Sequence, residues 1–126
     1  MHAIDTNVLV RLWTRDDPKQ VAAAETFVAV GAWVSHVVLA EATWVLATVY
    51  ELAPSAIADA IDRALRHQEI VLQDPEVVAA AVALYRKRPR LGFSDCLVLE
   101  SARKAGHMPL GTFDRDFAKV DGTRRL

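Results

Sequence analysis

Short apolar runs alternate with longer stretches that have helical spacing along the whole chain. His2-Ala3-Ile4 reads as a strand; Asp5-Thr6-Asn7 starts a helix whose buried side continues through Val8, Leu9 and Leu12. Asp17-Pro18 is a second start, an N-cap followed by a proline whose missing N–H costs nothing at the first helical position. That helix runs to about Val30 and Gly31 ends it. A strand at 33–34 leads to a cap at Ser35 and a long helix from about His36 to Leu52. Pro54-Ser55 opens a helix to about His67, and Ile70-Val71-Leu72 is a buried strand. Asp74-Pro75 repeats the cap-then-proline signal for a helix to about Arg88. Ser94 caps a helix that Gly106 stops after about Ala105; Met108-Pro109-Leu110 is the last strand. Asp114 caps a short final helix, and the chain after Val120 reads as a polar tail.

This alternation predicts an α/β three-layer sandwich, with a short central parallel sheet of four or five strands flanked by about seven helices. A length of 126 residues suits one domain, spanning 1–126. With 52% hydrophobic and 25% charged residues the chain has a core, and five Gly with five Pro exclude low-complexity readings. The single cysteine, Cys96, excludes an internal disulfide framework and fits a reducing cytoplasm. Asp5 and Arg11 interrupt any apolar core at the start, so no signal peptide is expected. From Thr26 to Tyr50 only Glu41 is ionised, but Gly31, Ser35, His36, Thr43 and Thr48 also break the run, which reads as buried core and not a membrane span.

Charge is unevenly distributed behind the net value of −1. Residues 1–85 carry 5 Lys/Arg against 11 Asp/Glu, and residues 86–126 carry 10 against 5. Such a split marks either a polyanion-binding face beside an acidic site or a chance distribution on a solvated surface. Arg86-Lys87-Arg88-Pro89-Arg90 is the densest basic run, and Arg11 with Arg15 lies one turn apart near Asp5. Arg11, Arg15, Arg86, Lys87 and Arg88 are the candidate cations for gripping the phosphates of a polyanion. The plainer reading makes them a dipole-matched helix end and solvated surface.

In open parallel sheets the site lies beyond the carboxyl ends of the strands. That edge picks out Asp5 and Asp114, each just after a strand, and Asp95 at a helix start. Glu41 has apolar neighbours at Val37, Val38, Trp44 and Val45, so it is expected to be a buried carboxylate, protonated, paired or metal-bound. Trp44 is expected in the core. Singly, each aspartate also reads as a helix cap or first-turn residue. If the four converge, each pair at about 5 Å repels by roughly 3 kcal/mol at an effective dielectric of 20. A cluster of that kind requires cations, protons or an inserted arginine. Hard divalent ions, Mg²⁺ or Mn²⁺, suit oxygen ligands, whereas His2, His36, His67, His107 and Cys96 lack zinc spacing.

Four segments resemble the acidic motifs of PIN-domain ribonucleases, and most closely those of VapC toxins from bacterial toxin–antitoxin pairs. They are Asp5-Thr6-Asn7-Val8-Leu9-Val10, Ser35 through Glu41-Ala42-Thr43-Trp44-Val45-Leu46, Phe93-Ser94-Asp95, and Gly111-Thr112-Phe113-Asp114-Arg115-Asp116-Phe117. The resemblance implies a metal-dependent endoribonuclease acting on tRNA or rRNA, with Asp5 and Asp95 contacting Mg²⁺ or Mn²⁺ and Glu41 and Asp114 completing the shell or positioning water. It implies supporting roles for Asn7 and Thr112, and assistance to a second metal from Asp116. It also implies a homodimer and a small VapB-type antitoxin whose C-terminal segment plugs the site. Two rival readings remain. A haloacid-dehalogenase-like phosphohydrolase also begins with an Asp after its first strand, but it needs a second acid where Asn7 stands. A non-enzymatic module would use the acids only to dock a basic partner.

Overall fold

Asp5 stands two residues after β1 (His2–Ala3) and caps α1 (Thr6–Thr14), its Oδ1 accepting the Val8 N–H at 3.1 Å. A computed structural model describes all of residues 1–126. Asp17 caps α2 (Pro18–Val28) by accepting the Gln20 N–H, and Ser35 caps α3 (His36–Thr48) by accepting that of Val38. Each cap satisfies an amide that helix geometry leaves without a partner. The remaining elements are β2 (Ala32–Val34), α4 (Pro54–Arg66), β3 (Ile70–Leu72), α5 (Pro75–Lys87), α6 (Phe93–Ala105), β4 (Leu110–Thr112) and β5 (Thr123–Arg125).

The fold is α/β with every strand pair parallel, but the strands form two sheets. β2 is the middle strand of the first, with Ala3 beside Trp33 and Trp33 beside Val71. β4 and β5 form a separate ladder from Leu110↔Thr123 to Thr112↔Arg125. The expected single sheet is divided because β1 offers only two residues and pairs on one side alone. Six α-helices and two 3-10 turns, Pro89–Leu91 and Phe117–Lys119, replace the expected set of about seven helices.

Several boundaries differ from the pattern for local reasons. α3 stops at Thr48, short of Leu52, because Glu51 takes a positive φ of 53° and the Leu52 N–H turns back to the Leu46 carbonyl. Ser94 lies inside α6; the N-cap is Gly92 at φ 79°, a conformation that side-chain-bearing residues avoid. The last predicted strand shifts to Leu110–Thr112 since Pro109 has no N–H, and Leu110 donates to the Gly122 carbonyl instead. Asp114 organises a 3-10 turn, not a regular helix. The polar tail is β5, anchored where the Thr123 hydroxyl donates to the Phe117 and Val120 carbonyls.

One core cluster of 24 residues unites the first sheet with helices α1 to α6. A second, of Leu99, Phe117 and Val120, has Leu110 of β4 packed on it. α3 packs against both α1 and α6. It buries Leu39, Ala42, Thr43 and Leu46, which turns Glu41 and Trp44 outward. The expected buried positions of Glu41 and Trp44 are therefore wrong: Trp44 is 60% exposed and Val37 75%. A helix apolar on nearly all sides carries no amphipathic signal to say which face meets the core. No helix is long and apolar enough to cross a membrane.

Candidate active site

Asp95 stands in the first turn of α6, placed there by the Gly92 turn and by Phe93, whose ring is buried against Tyr85. Burial, and then the nearby charge of Asp114, push the Asp95 carboxyl above the usual carboxylate range. Asp114 follows β4 and is held rigidly. Its N–H donates to the Thr112 hydroxyl at 3.0 Å, and its Oδ1 accepts from the Asp116 and Phe117 amides at 2.8 and 3.0 Å. The second Asp114 oxygen makes no hydrogen bond.

Asp5, Glu41, Asp95 and Asp114 all lack an ion-pair partner, as do Asp17, Glu51 and Asp121, while the other nine acids are paired with Arg, Lys or His. The four do not form a closed cluster, however. No three His, Cys, Asp or Glu side chains come together closely enough to hold an ion as they stand. The Asp114 charge acts on Asp95. Asp5 is engaged with the α1 amide, and Glu41 projects from the outer face of α3. The expected four-way convergence is thus reduced to one acid pair, with the other two acids on neighbouring elements.

The family model of the PIN domain matches residues 3–123, from β1 into β5. The chain belongs to the PIN domain family. Searches of the curated proteins and of the solved structures found no match. PIN domains are generally metal-dependent nucleases, which implies a nucleic acid substrate and replaces the phosphohydrolase reading.

The donor set of this PIN domain fits a divalent cation. Asp95 and Asp114 present hard carboxylate oxygens with no cation of the fold beside them, and their shared repulsion would be relieved by Mg²⁺ or Mn²⁺. Asn7 is exposed in the first turn of α1 and lines a shallow cleft with Asp5. Asp116 pairs with Lys119 at 3.6 Å. Cys96 is buried and its thiol is pushed up to about 12 by burial and by the Asp95 and Glu100 charges, so it remains protonated and is no nucleophile.

The candidate RNA-binding cations divide into two groups. Arg11 donates to Gln20, Asp16 and the Tyr50 hydroxyl, and so ties α1 to α2 and to the chain after α3. Arg15 pairs with Glu25, and Arg86 joins α5 to α4 through Asp59 and Asp62 at 2.8 and 2.5 Å. Lys87 and Arg88 have no such partners. They share a groove of about 610 Å³ with Arg90 and Lys119, two cations that were not singled out from the sequence. Arg90 could have been found from its place in the basic run. Lys119 could not, since only tertiary folding brings it there.

The cap at Asp5 separates two roles experimentally. Asp5→Asn is expected to retain the cap and the melting temperature while losing metal-dependent cleavage. Asp5→Ala is expected to lose cleavage and in addition about 1 kcal/mol of stability. Denaturant melts beside a nuclease assay check both, and equal stability of the two variants would show that the cap contributes nothing.

Proposed function

We propose that this PIN domain is a Mg²⁺- or Mn²⁺-dependent endoribonuclease toxin of the VapC type, cytoplasmic, dimeric and restrained by a small VapB-type antitoxin. The observation that carries the reading is that Asp95, partly buried at the start of α6, feels the charge of Asp114 after β4, and neither carboxylate has a neutralising Arg, Lys or His. Asp95 and Asp114 would hold the ion, with Asp5 and Glu41 contributing from the adjacent helices. When bound, the ion supplies an activated water and neutralises charge that develops on the phosphodiester. Thr112 supports this role by fixing the Asp114 backbone, and the amides of Asp116 and Phe117 fix one Asp114 oxygen.

Unpaired carboxylates also explain how an antitoxin would inhibit. An arginine inserted beside them forms charge-assisted bonds and competes with metal and RNA. The outward face of α3, with Val37 and Trp44, is the apolar surface that supports a homodimer. Protein freed of any partner should cut tRNA or rRNA with Mg²⁺ or Mn²⁺ and stop on addition of EDTA. Cleavage that continues in EDTA removes the metal reading. Failure to cut with any metal, together with tight binding of an arginine-rich peptide, would favour the acidic docking module.

A further inference from the structure

We propose that Arg11, Asp16 and Tyr50 form a knot that positions Asp5, by fixing α1, which Asp5 caps, against α3, which carries Glu41; this rests on the metal-dependent nuclease reading above. Arg11 projects from the second turn of α1. Its Nε donates to the Gln20 side chain of α2 at 2.7 Å. Its Nη1 donates to the Tyr50 hydroxyl, two residues after α3, at 3.0 Å and to Asp16 Oδ1 at 3.3 Å. The Tyr50 hydroxyl in turn donates to Asp16 Oδ2 at 2.7 Å, and the Thr14 hydroxyl donates to Asp16 Oδ1 at 2.9 Å. Both Asp16 oxygens are thus occupied. The Tyr50 hydroxyl, and after it that of Thr14, hold the Asp16 carboxyl below the usual carboxylate range, so it is ionised at neutral pH.

The backbone is shaped to deliver these groups. Arg15, next to Asp16, and Glu51, next to Tyr50, have φ of 55° and 53°, left-handed conformations that side-chain-bearing residues adopt at a cost. Two such reversals, in separate links, each adjoin a member of one hydrogen-bonded set. Added stability is a poor account of them. The Asp16 side chain is 45% exposed, so water screens its pairing with Arg11. α1 and α3 are already joined through Leu9, Val10, Leu39 and Leu46 in the main core.

The knot adds direction. Apolar burial holds two helices together without specifying an angle, whereas hydrogen bonds are angular. Asp5 stands six residues before Arg11, about 9 Å along the α1 axis at a rise of about 1.5 Å per residue. A tilt of about 10° around the knot would therefore move Asp5 by roughly 1.6 Å, and a misplacement of about 1 Å can cost about 100-fold in rate. α3 packs in turn on α6, which carries Asp95. Fixing α1 on α3 thus fixes Asp5 relative to Asp95. Arg11 and Gln20 also line the same cleft as Asp5 and Asn7, which makes the knot continuous with the site.

The test measures Mn²⁺ affinity by calorimetry, and kcat and KM for RNA cleavage, on the whole protein. Tyr50→Phe and Asp16→Asn should each lower kcat by about 10-fold, weaken Mn²⁺ binding several-fold and leave KM for RNA unchanged. Their melting temperatures in EDTA should stay within about 5 °C of wild type. Arg11→Gln should lower kcat by about 100-fold, and Arg11→Lys should not restore it, because an ammonium lacks the guanidinium fork. In an Asp5→Asn background, Tyr50→Phe should cost no further Mn²⁺ affinity, since its effect passes through Asp5. Glu25→Gln, which breaks the Arg15–Glu25 pair between α1 and α2 and touches nothing in the knot, should change none of these values. Unchanged kcat and Mn²⁺ affinity in Tyr50→Phe and Asp16→Asn would overturn the knot and leave the nuclease reading standing. So would an equal loss in Glu25→Gln, or a further loss of Mn²⁺ affinity in the Asp5→Asn background. A fall of more than about 10 °C in melting temperature, with activity falling in step, would show a plain structural brace and overturn it as well. Wild type that cleaves no RNA with any metal would overturn both.

Discussion

Asp95→Asn should reduce metal-dependent RNA cleavage by about 10³-fold, the scale of several kcal/mol of lost electrostatic stabilisation, and should nevertheless make the metal-free fold more stable. The second half follows from linkage. Burial and the Asp114 charge raise the Asp95 pKa in the folded state above its unfolded value. A raised acid contributes stability that is fully present below the unfolded pKa and is lost as pH rises through the folded one. At neutral pH the wild type therefore carries an ionised group that folding disfavours, and asparagine removes it. The melting temperature of Asp95→Asn should exceed that of wild type at pH 7 in EDTA. The gap should shrink as pH falls toward about 4, where the free carboxyl protonates. Adding Mn²⁺ should raise the wild-type value and leave the variant behind. Calorimetry across pH, with and without metal, reads all three trends. A variant that cleaves normally, or that melts below wild type at pH 7, contradicts the placement of Asp95.

The second large effect is on the fold. Leu39 is 1% exposed on the inner face of α3, the helix that packs against both α1 and α6. Leu39→Ala leaves a cavity there and should cost about 2–5 kcal/mol, a large part of the roughly 5–15 kcal/mol that holds a domain together. The melting temperature should fall by roughly 8–20 °C. Trp44→Ala, on the outer face of the same helix, should change stability by no more than about 0.5 kcal/mol in the isolated chain. Measured in parallel, the two variants test the orientation of α3. Equal losses would mean that Trp44 is covered by something other than solvent.

That orientation marks where sequence reasoning ran out. Capping by Asp5, Asp17 and Ser35, and the strand at Ile70–Leu72, were legible because each is written in a few adjacent residues. The faces of α3 were not, because Val37, Val38, Ala40, Trp44 and Val45 make every side look like core, and only packing against α1, α4 and α6 chooses one. β5 escaped notice for a related reason: Thr123-Arg124-Arg125 has no apolar alternation, and its strand character comes from pairing with β4. In the candidate site, the motif around Asp95 and that around Asp114 were visible separately. The effect of the Asp114 charge on Asp95 depends on how α6 and β4 are placed and appears only in three dimensions. Phe113 was part of a recognised motif, yet its exposure could not be read from the sequence.

The small cluster of Leu99, Phe117 and Val120 has a mechanical consequence. The β4–β5 corner is secured by that triad and by its own ladder, while the main core belongs to the other sheet. Its release would expose far less apolar area than global unfolding, and hydrogen exchange of the β4 and β5 amides is expected to be faster than that of the first sheet. Asp114 lies on this corner and Asp95 on α6, which supplies Leu99 to the triad, so the same small contact that seats the corner also sets how the two carboxylates stand relative to one another.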